Sequence, residues 1–237
     1  MSRAEGGLMH GPDDEGVAGI AVAELVDVEL LARRIEDQQA GRRTRLIVGI
    51  CGAPGAGKST LAAELVGVLN ERTPGAAVVV GMDGFHLAAS VIAGDERRYR
   101  RGAPDTFDPA GYVALLARLR TNTDDVVFAP EYRREIEDPV AGAIAVPRSC
   151  PIVVTEGNYL LHPDAAWRTV RACLDEVWFL QAPDEALRVE RLVERHVRFG
   201  KPRERAADHV LNSDEVNARL VDGYRGRADR LLRWASW

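Results

Sequence analysis

Several things are missing from this chain, and each absence narrows what it can be. Its three cysteines, Cys51, Cys150 and Cys173, are odd in number and never spaced C-x-x-C. That excludes a disulfide scaffold or a zinc ribbon and reads as reduced, structural thiols. An excess of positive charge is also missing: Lys+Arg 31 against Asp+Glu 36 gives a net charge of −5. A protein whose main partner is a nucleic-acid backbone needs a basic surface, so the expectation is no nucleic acid. No apolar run approaches the roughly 18 residues that cross a bilayer, and no basic-then-apolar leader opens the chain, so no membrane partner and a cytoplasmic location are expected. There is no Asn-Lys-x-Asp guanine-reading motif, no internal repeat and no low-complexity segment. What remains is 237 residues with 46% hydrophobic content, ample for one α/β domain with a buried core.

The stretch around which the chain is organised is Ile47-Val48-Gly49-Ile50-Cys51-Gly52-Ala53-Pro54-Gly55-Ala56-Gly57-Lys58-Ser59-Thr60. An apolar run leads into a glycine-rich loop and then into a helix carrying Leu61, Leu65 and Leu69. Gly52, Gly57, Lys58 and Ser59 fill G-x-x-x-x-G-K-[ST], the phosphate-binding loop pattern. Glycines let the backbone curl around a polyphosphate so that successive N–H groups point inward, and the helix adds the positive end of its dipole. Lys58 can reach the outer phosphates, and the Ser59 hydroxyl can ligate Mg²⁺. Residues 52–60 are therefore the expected nucleotide cradle, with ATP and Mg²⁺ as expected ligands.

Further apolar runs, Ala77–Met82, Pro151–Thr155 and Glu176–Leu180, read as parallel strands alternating with helices over about Val22–Gln39, Pro109–Arg120, Ala165–Leu174, Asp184–Arg198 and Ser213–Trp234. Val126–Phe128 and Ala143–Val146 are short strand candidates. The expected fold is an α/β, three-layer α/β/α P-loop NTPase with a mainly parallel sheet and a small substrate-side insertion. Residues 1–19 are expected to be a flexible tail and 20–237 one domain, with the insertion at about 84–147 and a lid at about 185–202. The arginines at 42, 43 and 45, ahead of the first strand, read as a solvated charged run. Trp234 and Trp237 are expected to pack on the domain; a homodimer is left open.

Ligands of such sheets sit at the carboxyl ends of the strands, where the loop, Asp83 and Glu156 all fall. Asp83 can ligate Mg²⁺ or take a proton from an attacking hydroxyl, or instead cap a helix. Glu156 lies within reach of a Mg²⁺ held by Ser59, or else pairs with a loop arginine. Arg191 and Arg195, four apart on a charged helix, share one face. They can close as a lid over the phosphates or simply face solvent. His196 reads as structural or solvent-facing. The basic-aromatic run Arg97–Arg101 reads as a substrate-side loop or a solvated surface. His86, Tyr132, Arg133, Arg134, Asn158 and Tyr159 suit hydrogen bonding to a hydroxylated substrate.

Taken in order, Gly52–Ser59, Met82-Asp-Gly-Phe-His86, Arg101–Asp108, Ala129-Pro-Glu-Tyr132 and Thr155-Glu-Gly-Asn-Tyr-Leu-Leu161 resemble the phosphoribulokinase/uridine kinase superfamily of P-loop kinases, which includes type I pantothenate kinases. The resemblance runs from about Leu46 to the C-terminus. It implies transfer of the ATP γ-phosphate to a free hydroxyl of a small metabolite, with Asp83 as base, Glu156 beside Mg²⁺, the Arg191/Arg195 helix as lid, and His86 and Tyr132 near the substrate. Uridine and pantothenate kinases carry a histidine shortly after the tyrosine matching Tyr132, and this chain does not. Its Ile136-Glu-Asp-Pro139 run resembles a nucleoside/nucleotide kinase-like branch instead. Nucleoside, pantothenate and sugar acceptors all stay open, as does an acceptor already carrying a phosphate or carboxylate that Arg133 and Arg134 would favour. A P-loop NTPase acting as a conformational switch is the competing reading.

Overall fold

Leu46–Cys51 is apolar on both sides of its pleat, and in the computed structural model, which describes residues 22–236, every residue of this strand is buried. The expected tail, 1–19, and Trp237 lie outside the described residues. In chain order the strands are β1 (Glu24–Leu25), β2 (Leu46–Cys51), β3 (Ala77–Gly81), β4 (Val126–Arg133), β5 (Asp138–Pro147), β6 (Ile152–Gly157), β7 (Glu176–Gln181) and β8 (Arg230–Arg233). Six of them form one parallel sheet in the order β1-β8-β7-β2-β6-β3. The helices are α1 (Val28–Gln39), α2 (Lys58–Arg72), α3 (Ala89–Ile92), α4 (Pro109–Thr121), α5 (Ala165–Ala172), α6 (Glu185–Arg198), α7 (Arg203–His209) and α8 (Glu215–Asp222).

Period-2 alternation along β2 sorts the core into two layers. Val48 and Ile50 pack with Leu31 and Ile35 of α1 and Leu61, Leu65 and Leu69 of α2 on one face. Ile47 and Cys51 pack with Tyr112 and Leu116 of α4, Trp167 and Val170 of α5 and Val221 of α8 on the other. Both faces are covered, which is why the strands read as continuous apolar runs. No helix among the described residues is long and apolar enough to cross a membrane.

Four expectations are corrected. The first helix starts at Val28, not Val22, because Asp27 caps it by accepting from the Leu30 N–H at 3.0 Å, and Glu24–Leu25 pair with β8 instead. The stretch from Ser213 to Trp234 is not one helix. A π-helical turn at Val210–Asp214 leads into α8, which gives way at Gly223, and β8 follows with Leu232 buried in one core layer and Leu231 packed against the other. The two short strand candidates are longer than expected and form one antiparallel hairpin, β4–β5, irregular between Ala129 and Glu131. Its Pro130 carbonyl sits so close to Gly84 that a Cβ there would collide with it, so glycine after β3 lets the hairpin dock beside the sheet.

The fourth correction is Arg45, which is 1% exposed rather than solvated. Its guanidinium donates to the carbonyls of Cys150, Leu119 and Pro147, each at 2.8 Å. It thereby joins the ends of α4 and β5 to the entry of β6. Arg45→Met would strand three buried acceptors, so a loss of about 3 kcal/mol is expected. For a domain of this size that corresponds to a fall in Tm of roughly 6–12 °C, read by thermal melting. An unchanged Tm would show that water replaces all three bonds.

Candidate active site

The loop after β2 turns with Gly55 at φ 79° and Gly57 at φ 93°, left-handed conformations that glycine adopts freely. Gly57 occupies the cap position of α2, and no side chain caps the helix there. The first N–H groups of α2 are therefore left for an anion, and such a terminus is a ready phosphate site.

Lys58 is 8% exposed and donates to Asn158 Oδ1 at 2.8 Å and to the Ala53 carbonyl at 3.0 Å. Ser59 Oγ donates to Glu156 Oε1 at 3.1 Å. Register explains that meeting: Glu156 on β6 stands opposite Ile50 of β2 and Gly81 of β3, at the carboxyl end of the sheet. Asp83 follows in the 3₁₀ turn Met82–Phe85. Burial pushes the Lys58 ammonium down, opposed by the charges of Glu156 and Asp83. Burial likewise pushes the Glu156 carboxyl up, and the neighbouring Asp83 charge adds to this. Two carboxylates and a hydroxyl drawn together at that cost fit a divalent cation, which would favour the ionised Glu156.

Gly55 and Gly57 through Thr60, with Pro54, line a cleft of about 730 Å³, together with Asp83, His86, Tyr132, Arg134, Glu156, Asn158, Arg191 and Arg195. Gly52, Ala53 and Ala56 are not part of the cleft wall. Nor is Tyr159, which the sequence reading placed among substrate contacts. It is fully buried, donates to the Gly102 carbonyl at 2.5 Å, and packs against Phe107 and Trp167 behind the cleft. His86 does face the cleft, its ring 4.0 Å from Phe107 and 4.7 Å from Tyr132; burial pushes its pKa down.

Arg188, Arg191 and Arg195 form one stripe on α6, spaced three and four apart. Sequence reasoning found the last two and missed Arg188, although the same spacing includes it. Arg188 is 1% exposed and turns inward, donating to the Pro54 carbonyl of the loop at 3.0 Å and to Glu215 of α8 at 2.5 Å. Arg191 and Arg195 face the cleft. The Arg195 guanidinium has no hydrogen bond or ion pair among the described residues. Burial pushes its pKa down, and Arg134 across the cleft adds to this. His196 accepts from Lys201 Nζ on Nδ1 at 3.2 Å, which leaves Nε2 as the N–H donor to Asp214, 2.9 Å away. His209 stacks edge-on at 4.7 Å. These three side chains could converge on a metal ion, but the Lys201 ammonium behind His196 has the wrong polarity to support one.

No family model matches the chain. It is 34% identical over 186 residues to the uncharacterized protein YggC of Escherichia coli (strain K12), spanning 78% of this chain and 76% of that protein. It is 32% identical over 185 residues to a protein of Schizosaccharomyces pombe named "Putative uridine kinase C227.14", spanning 75% of this chain and 78% of that one. Among solved structures, the "putative fructose transport system kinase" of Silicibacter sp. TM1040 superposes with a TM-score of 0.77 at 32% identity, over 88% of this chain and 99% of that one. A parallel sheet with the phosphate loop after a central strand, the cleft at its carboxyl ends and these relatives agree: the chain belongs to the uridine kinase/phosphoribulokinase group of P-loop kinases.

Proposed function

We propose that the protein uses Mg·ATP to phosphorylate a hydroxyl of a small metabolite. One observation carries this reading most. Lys58, the Ser59–Glu156 pair and Asp83 face a single cleft that Arg195 also lines, with no hydrogen bond or ion pair to its guanidinium among the described residues. Phosphoryl transfer asks for positioning and charge neutralisation more than for covalent chemistry, and this set supplies both. The loop N–H groups and Lys58 hold the phosphate chain. Ser59, Glu156 and Asp83 would hold Mg²⁺, which neutralises charge on the outer phosphates when bound. Asp83 accepts the acceptor's proton as its oxygen bonds to phosphorus and the bond to ADP breaks. Arg195, joined by Arg191, stabilises the charge on the transferring group.

The test is ADP release from Mg·ATP across uridine, cytidine, pantothenate, fructose, ribulose 5-phosphate and glycerate. Stimulation by one acceptor well above the acceptor-free rate is expected. Brisk hydrolysis that no acceptor changes would instead favour an NTPase whose output is a conformational change.

A further inference from the structure

The cleft is basic in a chain that is acidic. Eight Lys and Arg side chains line it against five Asp and Glu, while the chain as a whole carries −5. A bound polyphosphate takes up the charge near the loop and the lid. The acceptor side holds positive charge of its own.

Arg134, in the turn between β4 and β5, is one of the cations that carry it. The two adjacent arginines are separated by the hairpin. Arg133 lies outside the cleft and pairs with Glu131 at 2.8 Å, whereas Arg134 enters it. The Arg134 guanidinium donates no hydrogen bond among the described residues, and its nearest acid is Asp83 at 3.9 Å, beyond hydrogen-bond length. The other acids nearby are already engaged: Asp138 with Arg101 at 2.6 Å and Glu137 with Lys201 at 3.5 Å. Arg101 lies over the Tyr132 ring at 5.7 Å, and Tyr132 packs at a tilt against the His86 ring. The acceptor wall is thus aromatic and cationic.

We propose that the acceptor carries an anionic group, a carboxylate or a phosphomonoester, besides its reactive hydroxyl, and that Arg134 binds that group. The proposal rests on the kinase reading. A planar guanidinium suits either anion by paired N–H donors. Engaging it there would draw Arg134 away from Asp83 and leave the Asp83 carboxylate to the hydroxyl.

The experiment uses the full chain with Mg·ATP and matched acceptors that differ in the anion: glycerate against glycerol, pantothenate against pantothenol, and ribulose 5-phosphate against ribulose. The expected result is that kcat/KM for an anionic member exceeds that of its neutral partner by roughly 10- to 100-fold. Whether carboxylate or phosphate pairs respond identifies the anion. In Arg134→Gln that ratio should fall toward one through a raised KM for the anionic acceptor, and Arg134→Lys should recover part of it. The proposal is overturned if neutral members, or fructose or uridine, are used as well as anionic ones; the kinase reading then stands. It is also overturned if Arg134→Gln lowers kcat alike for both members of a pair, because Arg134 would then serve the transferring phosphoryl group. If no acceptor of either kind is phosphorylated, the kinase reading itself fails and this proposal with it.

Discussion

Asp83→Asn is expected to lower kcat for phosphoryl transfer by about 10²- to 10⁴-fold, the usual worth of a positioned base. The KM for ATP should rise only modestly, because Ser59 and Glu156 would still hold Mg²⁺ when Asp83 loses its charge. The substitution keeps the shape of the side chain, and the turn it sits in is held by the backbone: the Asp83 carbonyl accepts from the His86 N–H at 3.2 Å and lies 2.8 Å from His86 Nδ1. The carboxylate itself makes no hydrogen bond among the described residues, only the 3.9 Å approach to Arg134. Its removal therefore costs a proton acceptor and not a structural contact, and the melting temperature should stay within about 2 °C of wild type. Steady-state ADP release with a saturating acceptor, beside a thermal melt, checks both halves. A kcat within threefold of wild type would remove Asp83 from the base role.

Arg195→Ala is expected to cost about 10²- to 10³-fold in kcat, as the loss of one preorganised donor to a developing anion does. It should do so without loss of stability. The guanidinium is largely withdrawn from water and near Arg134, and the charges of Asp214, Asp83 and Glu156 offset this only in part. No carboxylate among the described residues is in ion-pair contact with it, so the folded protein holds an unfavourable charge that alanine relieves. A Tm equal to or above wild type, together with collapsed turnover, is the signature of strain kept for function. Arg195→Lys should not restore the rate, because an ammonium cannot present two parallel donors. Arg191→Ala should have a smaller effect, since that side chain is more exposed and solvent screens it. A Tm lowered by several degrees in Arg195→Ala would mean the arginine holds the fold and not the reaction.

The phosphate loop and the strand ends were legible because their information is local. Gly57, Lys58 and Ser59 are adjacent, and an apolar run followed by an acid places Asp83 and Glu156 at strand ends whatever the sheet order. Arg45 was not legible. Its partners are three backbone carbonyls 74 to 105 residues away, and a carbonyl acceptor leaves no trace in side-chain chemistry. Arg188 was half legible: its spacing puts it on the Arg191/Arg195 stripe, but only the packing of Gly55 against α6, where a Cβ would meet Leu192 and Arg188, turns it inward. Tyr159 looked like a ligand contact because it follows Asn158 at a strand end. One residue further along the turn reverses which side of the wall a ring occupies. The pair Leu231-Leu232 is too short for its period to be read, and two buried faces, not alternation, make it a strand.

The sheet order has one more consequence. β1 and β8 are parallel neighbours, with Glu24 opposite Leu232, the Val26 N–H donating to the Arg233 carbonyl at 2.9 Å, and Glu24 paired with Arg230. The first and last strands of the described chain are thus stitched side by side at one edge, far in sheet order from β3. The order in which the ribosome delivers these elements is therefore separable from the architecture they build. Because the two strands run parallel, a crossover of about a dozen or more residues from the end of β8 back to the start of β1, with new ends opened at the exposed Thr73–Gly75 turn, would rewrite the connectivity and leave every strand neighbour in place.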